Sequence, residues 1–183
     1  MAGGLDDGDG PRAARQSTRK PESTDGFALN NLVERCKPLD TNSVYCNLLQ
    51  CYDFADTAIA AETAEGDLVG FISGYRPPAR QDTLFVWQVA VDSRMRGQGL
   101  ALKMLLALIE RVRADGVSRL ETTISPGNEA SEALFKKAFR LLGAEYSTEV
   151  LFSRDTHFNG QHDDEVIYRA GPFTQSAPQP AQA

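Results

Sequence analysis

An apolar run, Trp87-Gln88-Val89-Ala90-Val91, passes through Asp92-Ser93-Arg94-Met95-Arg96 into Gly97-Gln98-Gly99, and from there into Leu100-Ala101 and a long apolar-periodic segment. This is a strand feeding a helix through two closely spaced glycines. Lacking a Cβ, Gly97 and Gly99 can take positive φ and admit an anion to the main chain. The first N–H groups of the following helix have no partner inside it and point to the same place. Arg94 and Arg96 add positive charge beside this cradle. It is not a dinucleotide fingerprint, because Leu102 stands at the third glycine position, and no Gly-Lys-Ser/Thr closes it as a nucleotide P-loop. What remains is Arg-x-x-Gly-x-Gly from Arg94 to Gly99, a spacing suited to pyrophosphate that ordinary strand-to-helix turns also share.

The chain has 183 residues, 42% of them hydrophobic, enough for one domain with a substantial core. Nineteen Lys and Arg stand against 25 Asp and Glu, a formal charge of -6, which argues against nucleic acid or an anionic membrane and for a small cationic partner. Cys36, Cys46 and Cys51 lack zinc-type spacing, and residues 1–20 hold no apolar signal-peptide core, so a reduced cytoplasmic setting with no metal is expected. No apolar run approaches the ~20 residues of a membrane span. Residues 1–16, rich in Gly, Asp and Arg, and 172–183, rich in Pro, Gln and Ala, are expected to be disordered tails around a single domain at 17–171.

Within that domain, apolar spacing predicts helices after Asp25 and after Asn42, separated by Pro38. Strands are predicted over 57–61 and 68–75 around a Glu65-Gly66-Asp67 turn, then over 82–91. A helix over 100–114, a strand over 117–124, a helix from Pro126-Gly127-Asn128 to about Leu142, and a closing strand pair at 149–152 and 165–169 complete the order. Residues 17–20 form a short, polar first strand.

This order, with the Arg94–Gly99 motif, resembles the Gcn5-related N-acetyltransferases (GNAT). The resemblance implies an α/β fold with a mixed, mostly antiparallel central sheet flanked by helices, and a central strand pair that splays after a bulge. It further implies that acetyl-CoA is the co-substrate. The backbone of Gln88, Val89, Ala90 and Val91 should hold the pantetheine arm, and Arg94, Arg96, Gly97, Gln98, Gly99, Leu100 and Ala101 the pyrophosphate. Asn128 should also contact the coenzyme, although Asn there is equally a plain helix cap.

Five segments, Pro38–Cys46, Cys51–Thr57, Tyr75–Pro78, Asp82–Val91 and Leu120–Ser131, together resemble the diaminobutyrate acetyltransferases of ectoine synthesis. The implied reaction moves acetyl from acetyl-CoA to the γ-amine of L-2,4-diaminobutyrate. An alkylamine with an ordinary pKa near ~10.4 is protonated at neutral pH, so a base must take a proton before the nitrogen attacks. By resemblance Asp40, Tyr45, Trp87, Glu149 and His162 line the substrate pocket, and Glu149, with His162 as helper or rival, accepts the proton. On local grounds Asp40 also reads as a turn residue, Trp87 as core, and His162 before Asp163-Asp164-Glu165 as a solvated loop. Many acetyltransferases carry a Tyr acid seven residues after the cap Asn; here that position is Phe135, so a proton for the thiolate must come from Tyr45 or water, or is not needed. A homodimer is expected, since related enzymes often dimerise. An acetyltransferase for another small amine or a peptide amine, and a non-catalytic acetyl-CoA sensor, remain open readings.

Overall fold

Leu68–Tyr75 reads Leu-Val-Gly-Phe-Ile-Ser-Gly-Tyr, apolar on both faces of a strand, and such a strand needs cover on both sides. The structure, a computed structural model describing residues 16–177, supplies it with helices on either face of one sheet. In chain order the elements are β1 (Ser17–Arg19), α1 (Gly26–Arg35), α2 (Val44–Tyr52), β2 (Ile59–Glu62), β3 (Leu68–Tyr75) and β4 (Thr83–Val91). There follow α3 (Leu100–Arg113), β5 (Arg119–Ile124), α4 (Glu129–Leu141), β6 (Tyr146–Phe152), α5 (Arg154–Phe158) and β7 (Glu165–Ala170). The seven strands lie in the order β1-β2-β3-β4-β5-β7-β6, and only β4 and β5 run parallel.

On one face, Leu29, Leu32, Val33 and Cys36 of α1 and its end, with Cys51 of α2, pack on Ala60, Phe71 and Ala90. On the other, Leu105 and Ile109 of α3 and Phe135 and Phe139 of α4 pack on Ile72, Leu84, Val86, Leu120 and Tyr168. A buried hydrogen bond from Asn47 Nδ2 to Asn30 Oδ1, 3.1 Å, locks α2 to α1. The predicted elements are present, with β6 beginning three residues earlier than expected. The short helix α5, for which the sequence shows no apolar period, is capped by Ser153 and held by Phe152 against His157 and Phe158. β1 owes its place to charge: Arg19 binds Asp25 through both Nη atoms, 2.7 and 2.8 Å, and Glu62 through Nε, 2.7 Å.

The expected tails differ at their inner edges. The Phe173 ring lies under the Arg113 guanidinium, the amides of Thr174 and Gln175 donate to Leu142 O, and buried Ala177 donates to Glu110 Oε1, so the packed chain continues to residue 177. Gln16 Nε2 reaches Met95 Sδ at 3.1 Å. The remaining parts of those tails, 1–15 and 178–183, lie outside the described residues.

Two irregularities open the centre of the sheet at one end. β4 pairs with β5 from Thr83↔Arg119 to Val86↔Thr122 and then the two part, while β4 stays paired with β3 to Val91. Between β3 and β4, Ser73 faces Gln88 and Gly74 faces Val86, leaving Trp87 as the extra residue of a bulge. Gly74 permits this close approach, because a Cβ there would stand 2.7 Å from Phe85 O and 3.0 Å from Thr57 O.

β4 is stopped by Asp92. Its Oδ1 accepts from the backbone N and Nε of Arg94, both 3.0 Å, and its Oδ2 from Arg94 Nη2, 3.0 Å, with Arg35 Nη2 at 3.5 Å. The Arg94 fork holds the buried Asp92 carboxyl down at about 2, against the opposing effect of burial. Because the folded value lies below the ordinary 3.8, the ionised form stabilises the fold above about pH 4, and that contribution disappears as pH falls through about 2. The melting temperature of the native protein should therefore exceed that of Asp92→Asn at pH 7 by roughly a few degrees. The gap should close between about pH 4 and pH 2; an equal gap at both ends of that range in a thermal melt would contradict this role for Asp92.

Candidate active site

Where β4 and β5 separate, the main-chain groups of Trp87 to Val91 that do not face β3 are left without a strand partner, and a free edge of this kind accepts an extended amide chain. Immediately beyond, Ser93–Met95 forms a single 3-10 turn; Arg96 Nε donates to Val91 O, 3.2 Å, and Gln98 Nε2 to Arg94 O, 3.0 Å. Gly97 and Gly99 have φ of 75° and 77°, and a Cβ at either would meet nothing within 4 Å, so the space over the loop is open. Gly99 is the N-cap of α3, and the first amide bonded within the helix is Lys103 N, to Gly99 O. The amides of Leu100, Ala101 and Leu102 thus point out of the helix end. A pyrophosphate fits this cradle through backbone donors at the positive end of a 14-residue helix. Leu100 turns its side chain into the core and has only its backbone to offer. The Arg94 guanidinium is engaged with Asp92, so its first task is to hold the loop; Arg96 stays exposed. Asn128 caps α4, its Oδ1 accepting from Ser131 N at 3.1 Å, and is itself exposed, so capping leaves its amide nitrogen for other partners.

The faces of the strands are set by packing. Leu84, Val86, Leu120 and Tyr168 lie against α3 and α4, so by alternation Phe85, Glu121, Arg169 and, beyond them, Glu149 point to the opposite face. Ala90 belongs to the cluster under α1 and α2, so Gln88 and the bulged Trp87 point to that same face. Trp87 is 48% exposed, so it is not core. Gln88, expected to contribute only backbone, also donates its Nε2 to Asp40 O, 2.8 Å, and so pins the loop between α1 and α2 against β4. Asp40 Oδ1 accepts from Asn42 N, 3.4 Å, as a turn residue does, and Tyr45, on the first turn of α2, is 70% exposed. Asp40 is thus held beside Trp87 and Gln88 on the face of β4 that α1 and α2 cover, and Tyr45 lies on the solvent-exposed surface of α2.

The far side is made by β7, β6 and the segment between them. Ser125, one residue past β5, donates to Glu165 Oε1 at 2.8 Å, and His162 Nε2 lies 3.9 Å from that same oxygen. His162 Nδ1 is 2.7 Å from Asp163 O; a carbonyl oxygen only accepts, so Nδ1 carries a hydrogen, and in the neutral ring the lone pair is then on Nε2. The ring packs on Phe158 of the α5 segment, 4.7 Å between centroids. Glu149 accepts from Arg169 Nη1, whose Nε lies 3.4 Å from Glu121 Oε1. Spacing and motif do not single out Glu121, Arg169, Arg80 or Glu165. A charged residue between Leu120 and Thr122 in a strand is the one local signal that points to Glu121. Phe135 is core, packed with Phe139, and offers neither a proton nor a place for one. Among the described residues no three His, Cys, Asp or Glu side chains gather in a metal-holding group, and no helix is long and apolar enough to cross a membrane.

The Acetyltransferase (GNAT) family model matches residues 28–139. The L-2,4-diaminobutyric acid acetyltransferase of Methylotuvimicrobium alcaliphilum is 47% identical over 154 residues, covering 84% of this chain and 89% of that protein. The protein of the same name from Streptomyces avermitilis is 49% identical over 156 residues, covering 85% and 87%. Among solved structures, diaminobutyrate acetyltransferase EctA from Paenibacillus lautus, in complex with its substrate L-2,4-diaminobutyric acid and coenzyme A, has a TM-score of 0.83 at 39% identity, covering 91% of this chain and 100% of that one. The ribosomal-protein-S18-alanine N-acetyltransferase from Escherichia coli, with a TM-score of 0.63 at 19% identity and coverage of 92% and 99%, shares the fold. A sheet whose parallel strands part beside a glycine cradle, and sequence likeness over most of the domain, lead to the same conclusion: the chain belongs to the GNAT acetyltransferases and, within them, to the L-2,4-diaminobutyric acid acetyltransferases.

Proposed function

We propose that the protein transfers acetyl from acetyl-CoA to the γ-amine of L-2,4-diaminobutyrate, giving N-γ-acetyl-diaminobutyrate and CoA. The observation that carries this reading is the parting of β4 and β5 after Val86 and Thr122. It leaves a free edge leading to the cradle on one side and an acid-bearing face on the other. Bound acetyl-CoA supplies an activated thioester. The backbone edge of Gln88, Val89, Ala90 and Val91 lays its amide arm along β4, and the loop from Arg94 to Ala101 holds its phosphates. Asp40, Tyr45 and Trp87 line the approach of the amine.

His162 Nε2 takes the ammonium proton, directly or through water, because its lone pair is free, and Glu165 then faces the imidazolium as a counter-charge. The neutral nitrogen attacks the thioester carbon and the sulfur leaves with the electron pair. With Phe135 in the core, the proton for that sulfur comes from water or the exposed Tyr45 hydroxyl. A free thiol's pKa of about 8.5 also makes the thiolate a tolerable leaving group with no acid at all. Glu149, tied to Arg169, serves in binding. Free Cys36, Cys46 and Cys51 suit a reducing, cytoplasmic setting, and by the sequence resemblance the product feeds the synthesis of ectoine, an osmolyte.

Release of CoA should be fastest with L-2,4-diaminobutyrate among diaminobutyrate, ornithine, lysine, putrescine, spermidine and a peptide amine, with acetyl located on the γ-nitrogen by NMR. Turnover confined to polyamines or the peptide would overturn the substrate, and acetyl-CoA binding without turnover would favour a sensor. His162→Ala should lower kcat by about 10²-fold or more, whereas a kcat within about twofold of native removes His162 as the base.

We also infer a homodimer. Edge strand β6 exposes Tyr146 and Val150 on one face and, past its bulge, Phe152 on the other, an apolar edge suited to burial against a second copy. Light scattering at micromolar concentration should give twice the chain mass; the mass of one chain would contradict this.

A further inference from the structure

Glu121 sits in the middle of β5 and is 4% exposed; a carboxylate at that depth persists only when it is paired. Its Oε2 accepts from Arg80 Nη2 at 2.8 Å, and its Oε1 lies 3.4 Å from Arg169 Nε. Arg169 gives its Nη1 to Glu149, and the chain Arg80–Glu121–Arg169–Glu149 thus alternates in sign from an anchored, buried middle to a solvent-facing end. The side chains of Arg169 and Glu149 are 38% and 61% exposed, so a guanidinium and a carboxylate are presented to solvent side by side. Glu121 and Glu149 engage two of the guanidinium nitrogens, and the remaining N–H groups of its five are left for another acceptor. Beside it opens a cavity of about 380 Å³, where three guanidiniums, of Arg80, Arg119 and Arg169, outnumber the carboxylates of Asp82 and Glu121.

This pair is the complement of the head of an α-amino acid, in which an ammonium adjoins a carboxylate. Its position matches too. Arg169 stands opposite Glu121, which stands opposite Phe85, two residues before Trp87 and one rung before the strands part. Arg169, two strands across from β4 and two residues back, thus stands about 12 Å from Trp87 between backbones, a gap that an arginine side chain of about 7 Å and the about 5 Å from the γ-nitrogen of diaminobutyrate to its carboxylate carbon together span. Resting on the function proposed above, we propose that Arg169 is a specificity-determining residue that binds the substrate's α-carboxylate while Glu149 takes its α-ammonium. The γ-amine is thereby left as the group delivered to the thioester. Arg80 and Glu121 act through Arg169, as positioning residues.

The test compares L-2,4-diaminobutyrate with 1,3-diaminopropane, which keeps both amines and lacks the carboxylate, in the native enzyme and in Arg169→Lys and Arg169→Gln. The native enzyme should favour diaminobutyrate in kcat/KM by about 100-fold or more. Arg169→Lys, which keeps a cation for Glu121, should raise KM for diaminobutyrate about tenfold with a much smaller change in kcat. Arg169→Gln should raise it further, and the ratio between the two amines should fall at least about tenfold in each variant. A ratio that stays at its native value, with both amines losing rate together, would make Arg169 merely structural and overturn the proposal. Lack of preference for diaminobutyrate in the native enzyme would instead defeat the functional reading on which it rests.

Discussion

Val86 and Thr122 form the last rung between the two parallel strands at the centre of the sheet, and everything the protein does depends on the pairing ending there. A parallel pair normally continues as long as both strands do, since unpaired main-chain groups are costly when buried. Here β4 runs five residues further without β5, and the cost is avoided because the gap is open to a ligand that can hydrogen-bond in place of a strand. The bulge at Trp87 is the companion of that parting. One residue too many against β3 turns both Trp87 and Gln88 to the side of α1 and α2, so an indole and an amide reach the cleft from positions that strict alternation would have placed on opposite faces.

The cradle depends on how β4 is ended. Asp92 binds the backbone and side chain of Arg94 together, which converts an arginine that looks like a phosphate ligand into a brace for the loop. With the loop braced, Gly97 and Gly99 hold positive φ in open space, and the backbone amides at the end of α3 are left open to an anion. Such donors are set in place by the fold before the ligand arrives, so little ordering is required on binding.

The substrate face is built from charges that check one another. Glu121 and Glu165 are both carboxylates set back from solvent, the first between two arginines and the second taking a hydroxyl hydrogen bond from Ser125. Each supports an outer group, Arg169 with Glu149 in one case and His162 in the other. This division underlies the different roles proposed above for Glu149 and His162: a carboxylate already in an ion pair suits binding, and a neutral imidazole with a counter-charge behind it suits proton transfer.

The amino-acid sequence by itself determined the elements that rest on local physics. The glycines between β4 and α3, the apolar period of α3 and the Asn128 cap act over a few residues, where backbone freedom, helical spacing and orphan amides leave little choice. By resemblance it also pointed to Asp40, Tyr45 and Trp87, of which the structure shows Trp87 and Tyr45 exposed and Asp40 joined to Gln88. Only the tertiary structure decided what depends on partners distant in the chain. β1 is a strand because Arg19 finds Glu62 forty-three residues away, and the C-terminal segment to Ala177 is ordered because Glu110 and Leu142 meet it. Trp87 is bulged because of a count against β3, and Arg169 is bound to Glu149 and Glu121 because three strands adjacent in the sheet are separated in sequence. No periodicity reports such pairings, since the energy of an ion pair or a bulge belongs to the space between segments and not to either segment alone.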